Sequence, residues 1–237
     1  ELNRCKVATK PIAYGKDITP YLVRNSQSPR ESTFKFRRNE ELSALRAWWI
    51  REMILTKCPQ KERLTLFWTN HFSIQYSAIN KLAMMIYNKH FMLRNYGFGN
   101  FKVLVKNIIK EPAMIVFLNN QWNSRFSPNE NLARELMELF TLGEGAYNEK
   151  AVKEAARTLT GFTFNRFTDY KFEIDDWSRD KGRKTLFGER GYYNGFDLVD
   201  ILFNQPSAST FITRKFWKYY VSSTNINEKE IVKISAS

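Results

Sequence analysis

The chain has 237 residues, 43% of them hydrophobic and 15% aromatic, a balance that supplies a sizeable core and excludes an intrinsically disordered chain. Its 37 Lys and Arg against 24 Asp and Glu leave a formal charge of +13, which favours anionic partners, yet the basic residues are scattered and form no dense run. No stretch approaches the roughly 18 apolar residues of a membrane span, and the polar opening from Glu1 does not read as a signal peptide.

Residues 1–38 carry Pro11, Pro20 and Pro29 with no sustained hydrophobic period, and they read as an arm or loop. Asn39 fits a helix N-cap, with Glu40 and Glu41 in the first turn. Leu42, Leu45, Trp49 and Met53 then recur at helical spacing up to Pro59. The spacing predicts further helices over Gln60–Phe72, with Leu64, Phe67, Trp68 and His71 inward, and over Ile79–Arg94, with Leu82, Ile86, His90 and Leu93 inward. Beyond Gly97 and Gly99 come helices over Phe101–Ile108 and Pro112–Leu118. The Asn-rich link Asn119–Asn123 precedes a helix over Asn129–Leu142 that stops at Gly143. The next, Glu149–Leu159, has Asn148 as its cap and Gly161 beyond its end.

The texture then changes. Phe162, Phe164, Tyr170, Phe172 and Ile174 alternate with polar residues at period two, the mark of a small hairpin. A charged loop, Asp175–Gly195, leads to helices over Phe196–Phe203 and Ser207–Tyr220. The predicted fold is mainly α, a multi-helix orthogonal bundle with a small β-hairpin insertion near 160–175. One helical domain is expected over 39–221. The start without Met and the finish inside the helix-like Glu228–Ile234 predict a fragment, with 222–237 opening a truncated C-terminal part.

On a wheel of about 100° per residue, the Asn129–Leu142 helix gathers Leu132, Ala133, Leu136, Met137, Leu139 and Phe140 on one arc. Glu130, Asn131, Arg134, Glu135 and Glu138 fill the other, with opposite charges at i,i+4 (Glu130–Arg134 and Arg134–Glu138). A solvated helix face has this pattern, and so does a structural ion lock to which Glu154 or Arg157 adds. Buried against a cleft, Glu135 and Glu138 would instead suit acid–base work. His71 reads as a core histidine, although with Asn70 it becomes a site residue if the two face those carboxylates. His90 reads as packing.

Arg179, Asp180, Lys181, Arg183 and Lys184 form a basic loop able to take an anion, or simply a solvated one, because GRKT lacks the upstream glycine of a nucleotide loop. The hairpin aromatics read as core rather than as a stacking platform. Cys5 and Cys58 are the only cysteines; they can pair, but free thiols are the expectation. With two histidines and no cysteine cluster, no metal site is expected, and no cofactor fingerprint or catalytic elbow occurs.

Several segments in order, LRAWWIREM (Leu45–Met53), ERLTLFWTNHF (Glu62–Phe72), EPAMIVFLNN (Glu111–Asn120), PNENLARELMELFTLGEGAYNE (Pro128–Glu149), VKEAARTLTGF (Val152–Phe162), GRKTLFG (Gly182–Gly188) and DLVDILFNQPSASTFITRKFW (Asp197–Trp217), resemble the family called domain of unknown function 1800. The family's signature contains the polar positions Asn129, Glu130, Asn131, Arg134, Glu135 and Glu138. The resemblance implies a mainly helical, often exported or periplasmic protein, commonly encoded beside a sulfatase-like partner, and it implies no reaction. The chain departs from the family pattern at Thr69, where a histidine is usual, at Arg179 of the Arg179–Asp180 pair, likewise a histidine, and at Asn119, usually an aspartate. The leading expectation is an accessory or interaction module acting with that partner. A hydrolase built on Glu135, Glu138, Asn70, His71 and Arg134, and a binder of anionic polysaccharide or nucleic acid, are the alternatives.

Overall fold

No proline lies between Pro29 and Pro59, and one helix, α1 (Glu31–Leu55), fills most of that interval. The computed structural model describes residues 31–79, 83–165 and 170–236. The helix runs through Asn39, so the expected cap there is corrected: nothing in the chemistry of 31–38 breaks a helix. The rest of the expected arm lies outside the described residues, as does Leu82.

Pro59 opens α2 (Pro59–His71) at its first position, where a missing N–H loses no helical bond. A 3₁₀ turn takes Tyr76–Ile79, and α3 spans Ala83–Tyr96. Gly97 then lets α3 end against α2. A Cβ there would sit 2.6 Å from Trp68 Cδ1, and the Trp68 indole donates to the Gly97 carbonyl at 2.8 Å. Asn100 caps α4 (Phe101–Ile108) by accepting from the Val103 N–H, and Pro112 opens α5 (Pro112–Phe117).

The α6 helix (Asn131–Glu135) passes directly into a π-helix, Leu136–Thr141. Asn148 caps α7 (Glu149–Thr158) as expected. The predicted hairpin is present: β1 (Phe162–Asn165) pairs antiparallel with β2 (Lys171–Ile174), Phe162 opposite Ile174 and Phe164 opposite Phe172. A second ribbon, β3 (Lys184–Leu186) with β4 (Glu189–Gly191), occupies part of the expected charged loop. Three-residue strands are too short to show a period. Asn194 and Asp197 form a capping box for α8 (Gly195–Phe203), followed by α9 (Pro206–Tyr220) and α10 (Glu228–Ser235).

The fold is therefore mainly helical with two small two-stranded antiparallel sheets. Leu104 and Ile108 of α4, Leu132, Leu136, Val152 and Leu198 are at most 1% exposed and belong to one core cluster. Each such side chain contributes about 1.5–3 kcal/mol by burial. Around that core, α1 packs on α2 and α3, α4 on α8, α7 on β3, and α9 on the π-helix and α10.

Cys58 is disulfide-bonded, which corrects the expectation of a free thiol there; Cys5 lies outside the described residues. Among the described residues no helix is long and apolar enough to cross a membrane.

Candidate functional site

The π-helix decides where the polar residues of Asn129–Leu142 point. Its turn is wider than an α turn, and both Leu142 N–H and Gly143 N–H reach back to the Met137 carbonyl. That widening overturns the uniform wheel. Leu139, placed on the apolar arc by a constant angle, is 47% exposed, whereas Leu136, Met137 and Phe140 remain buried.

On the polar side Arg134 is held twice. It donates to both carboxylate oxygens of Glu149 at 2.8 Å and to Glu130 at 3.0 Å, and these bonds raise its already high pKa. The Arg134 side chain keeps 35% of its surface exposed, so water screens the cluster. Glu138 accepts from the Tyr147 hydroxyl at 2.8 Å, and burial followed by that bond raises the phenol pKa. Partial burial, and secondarily the charge of Glu138, raises the carboxyl pKa of Glu135. Asn129 sits outside the helix, its side chain accepting from the Asn131 N–H at 3.0 Å, and Asn131 is exposed.

His71 is 8% exposed and has other partners. Its Nε2 lies 3.1 Å from the Phe140 carbonyl, which can only accept, so Nε2 carries the proton. Nδ1 is then free to accept from Lys215 Nζ at 3.2 Å, and Lys215 also donates to the Leu139 carbonyl at 2.8 Å. Burial, then the Lys215 charge, pushes His71 down to about 3. The imidazole is neutral with both nitrogens engaged, tying α2 and α9 to the end of the π-helix. Its neighbour Asn70 is exposed and lines a cavity on the other side of α2, together with Thr69.

The remaining predicted residues form a second cluster. Arg157 donates to Asp180 at 2.7 Å and to Glu154 at 2.8 Å, while the other oxygen of Glu154 accepts from the Thr185 N–H. Burial pushes the Asp180 carboxyl up, but the Arg157 bond, the Gly182 N–H and the Lys184 charge outweigh it and hold the pKa below the usual range. Lys184, expected in a solvated loop, is 2% exposed and bonds to the Asp180 carbonyl at 2.5 Å. Burial lowers its pKa against the opposing pull of Asp180. Arg179 lies at the edge, 3.8 Å from Asp176.

Sequence reasoning missed Asn120 and Asn123. Both are buried: Asn120 donates to the Leu159 and Phe162 carbonyls, and Asn123 donates to Ala156 and accepts from the Asn129 N–H. The Asn-rich link therefore satisfies the open carbonyls at the end of α7 and fixes the start of the signature segment. The density of asparagine between two helices was the available signal.

The structure thus sorts the predicted residues into separate groups: Glu130 and Arg134 with Glu149, Glu138 with Tyr147, His71 with Lys215, and Asp180 and Lys184 with Arg157. Among the described residues no group of three or more His, Cys, Asp or Glu is arranged to hold a metal ion. No curated protein and no solved structure matches the chain. A family model described as "Protein of unknown function (DUF1800)" matches residues 6–237, essentially the whole chain, and the chain belongs to that family.

Proposed function

We propose that this chain is a non-catalytic accessory module of an exported protein that binds a partner protein, the sulfatase-like neighbour being the first candidate. The observation that carries this reading is the internal pairing of the signature's polar side chains. Arg134 is spent on Glu130 and Glu149, and His71 on Phe140 and Lys215, so that neither joins Glu135 and Glu138 at a common point.

Two further features support it. Trp122, Phe126 and Trp177 are 68%, 66% and 71% exposed, and the Arg125 guanidinium lies over the latter two rings, 4.6 and 4.7 Å from their centroids. Exposed aromatic side chains clustered with arginine are the composition of interface anchors. The disulfide at Cys58 fits an oxidising compartment. The hydrolase reading draws on the raised pKa of Glu135 beside Glu138, but His71, the histidine it needs, is engaged at both ring nitrogens.

The test is a binding titration of the chain with a sulfatase-like protein of the kind commonly encoded beside members of this family. Association that weakens in Trp177→Ser and survives Glu138→Gln is the expected result. A hydrolytic activity abolished by Glu138→Gln, with the melting temperature unchanged, would replace this reading with the enzyme.

A further inference from the structure

Away from the signature segment, a cavity of about 330 Å³ opens between α1, α2 and α3. That volume lies within the range of small-molecule sites. Its walls are mostly apolar, with Leu45, Trp48, Trp49, Ile74 and Ile86 among them, and its polar lining is Arg46, Thr69, Asn70, Ser73, Lys89 and His90. Among the described residues no carboxylate lines it.

Lys89 and His90 make the cavity more than a packing defect. They are 4% and 6% exposed, and both line it. His90 Nε2 is buried with no hydrogen-bond partner. Lys89 makes neither an ion pair nor a hydrogen bond among the described residues. The buried Glu111 carboxylate acts on Lys89 through its charge but makes no ion pair with it, and an ammonium and a ring nitrogen buried without hydrogen bonds are a cost that native structures rarely accept without a use. The contrast with α3's next charged residue is direct. Arg94, equally buried, meets Glu62 through both guanidinium nitrogens at 2.6 and 2.5 Å.

We propose that this cavity is a binding site for a small organic anion with an apolar body, a carboxylate in the first instance. The apolar body would lie among Trp48, Trp49, Ile74 and Ile86. Its anionic oxygens would meet the Lys89 ammonium and the His90 ring, with the exposed Arg46 at the rim. A neutral imidazole donates from whichever nitrogen carries its proton, so the His90 ring, which lines the cavity, can donate to an oxygen of the ligand. Burial holds His90 neutral, pushing it down to about 3, with the Arg94 and Lys89 charges adding to the effect. Burial also lowers Lys89 to about 8, and the buried Glu111 opposes that shift. At neutral pH Lys89 is still cationic. A cationic group, a neutral donor and aromatic walls select an anion with an apolar part over a neutral or cationic ligand.

The experiment is calorimetric titration of the 237-residue chain with sodium 2-naphthoate and, separately, with the uncharged 2-naphthalenemethanol, which shares the ring. Naphthoate is expected to bind about tenfold or more tighter than the alcohol, the share of one charge-assisted contact. Lys89→Met, which keeps the stem and removes the charge, should erase that preference while leaving the alcohol's affinity within about twofold. Ile86→Trp, which fills the cavity, should abolish both. In the wild-type chain the His90 ring nitrogen resonances should move on adding naphthoate. Absence of binding, equal affinity for the two probes, a preference that survives Lys89→Met, or unmoved His90 resonances would each overturn the proposal. Should Ile86→Trp fail to fold, Lys89→Met and the resonances still decide.

Discussion

The α1–α3 region and the α6–α7 region differ in how they handle charge. In the second, charged side chains are plentiful, half exposed and paired with one another, as with Arg134 between Glu130 and Glu149. The first has exposed charges as well, such as Arg46, Arg51 and Arg63, but it also buries Glu62, Lys89, His90 and Arg94. One pair, Glu62–Arg94, is 4% exposed at both ends and also receives the Trp49 indole N–H, while Lys89 and His90 face a cavity unpaired. The lesson is that conspicuous charge in a sequence marks the surface, whereas the energetically consequential charge here sits singly among apolar residues, where desolvation is severe.

The comparison breaks first at Glu62–Arg94. Arg94→Met leaves the Glu62 carboxylate buried without its partner and is expected to destabilise the chain by about 3–5 kcal/mol, read from the shift of the urea midpoint. A loss no greater than that of a surface pair would erase the distinction between the regions.

Acid comes next. His71 and His90 are both pushed down to about 3 by burial, so each favours the folded state fully only above the ordinary histidine pKa. That contribution is lost as pH falls from about 6.5 towards 3, reaching roughly 3 kcal/mol per histidine at pH 4. Urea midpoints measured between pH 7 and 4 should therefore fall. His90→Phe should remove about half of the two histidines' share of that fall, and an unchanged slope would show that His90 does not resist protonation.

Gly97→Ala sharpens the packing side. The added Cβ would lie 2.5 Å from the Leu93 carbonyl and 2.6 Å from the Trp68 ring, so α3 and α2 must part. A loss of about 1–3 kcal/mol is expected, with the melting temperature lowered accordingly. The smallest effect belongs to the most conspicuous charge. Arg134→Ala should cost less than about 1 kcal/mol and lose even that at high salt. A larger, salt-independent loss would mean that the signature cluster acts as a buried lock.

Much of the helical framework was legible because Leu104, Val105 and Ile108, or Val152, Ala155 and Ala156, repeat at helical spacing and are buried. The Asn148 cap and the β1–β2 hairpin were legible for similar local reasons. The π-helix was not. It changes the angle per residue without changing the composition, and it moved Leu139 from the predicted core to the surface. The site was legible only as a set of residue types. The partners that define their roles lie far along the chain: Glu149 is 15 residues from Arg134, and Lys215 is 144 residues from His71. No local period encodes such meetings, so residue type alone could not tell whether the acidic face and His71 meet.

The widened turn at Leu136–Thr141 also bears on how the chain tolerates changes in length. A π turn accommodates one more residue than an α turn between the same two ends. Leu139, facing outward, is the spare one. Omitting it would let the segment close into ordinary helix without rotating what precedes or follows. The same omission at Val152, inside a regular helix, would turn every later side chain of α7 away from its neighbours. In a segment so densely packed, a shortening by one unit is therefore survivable at one place and ruinous a few residues on.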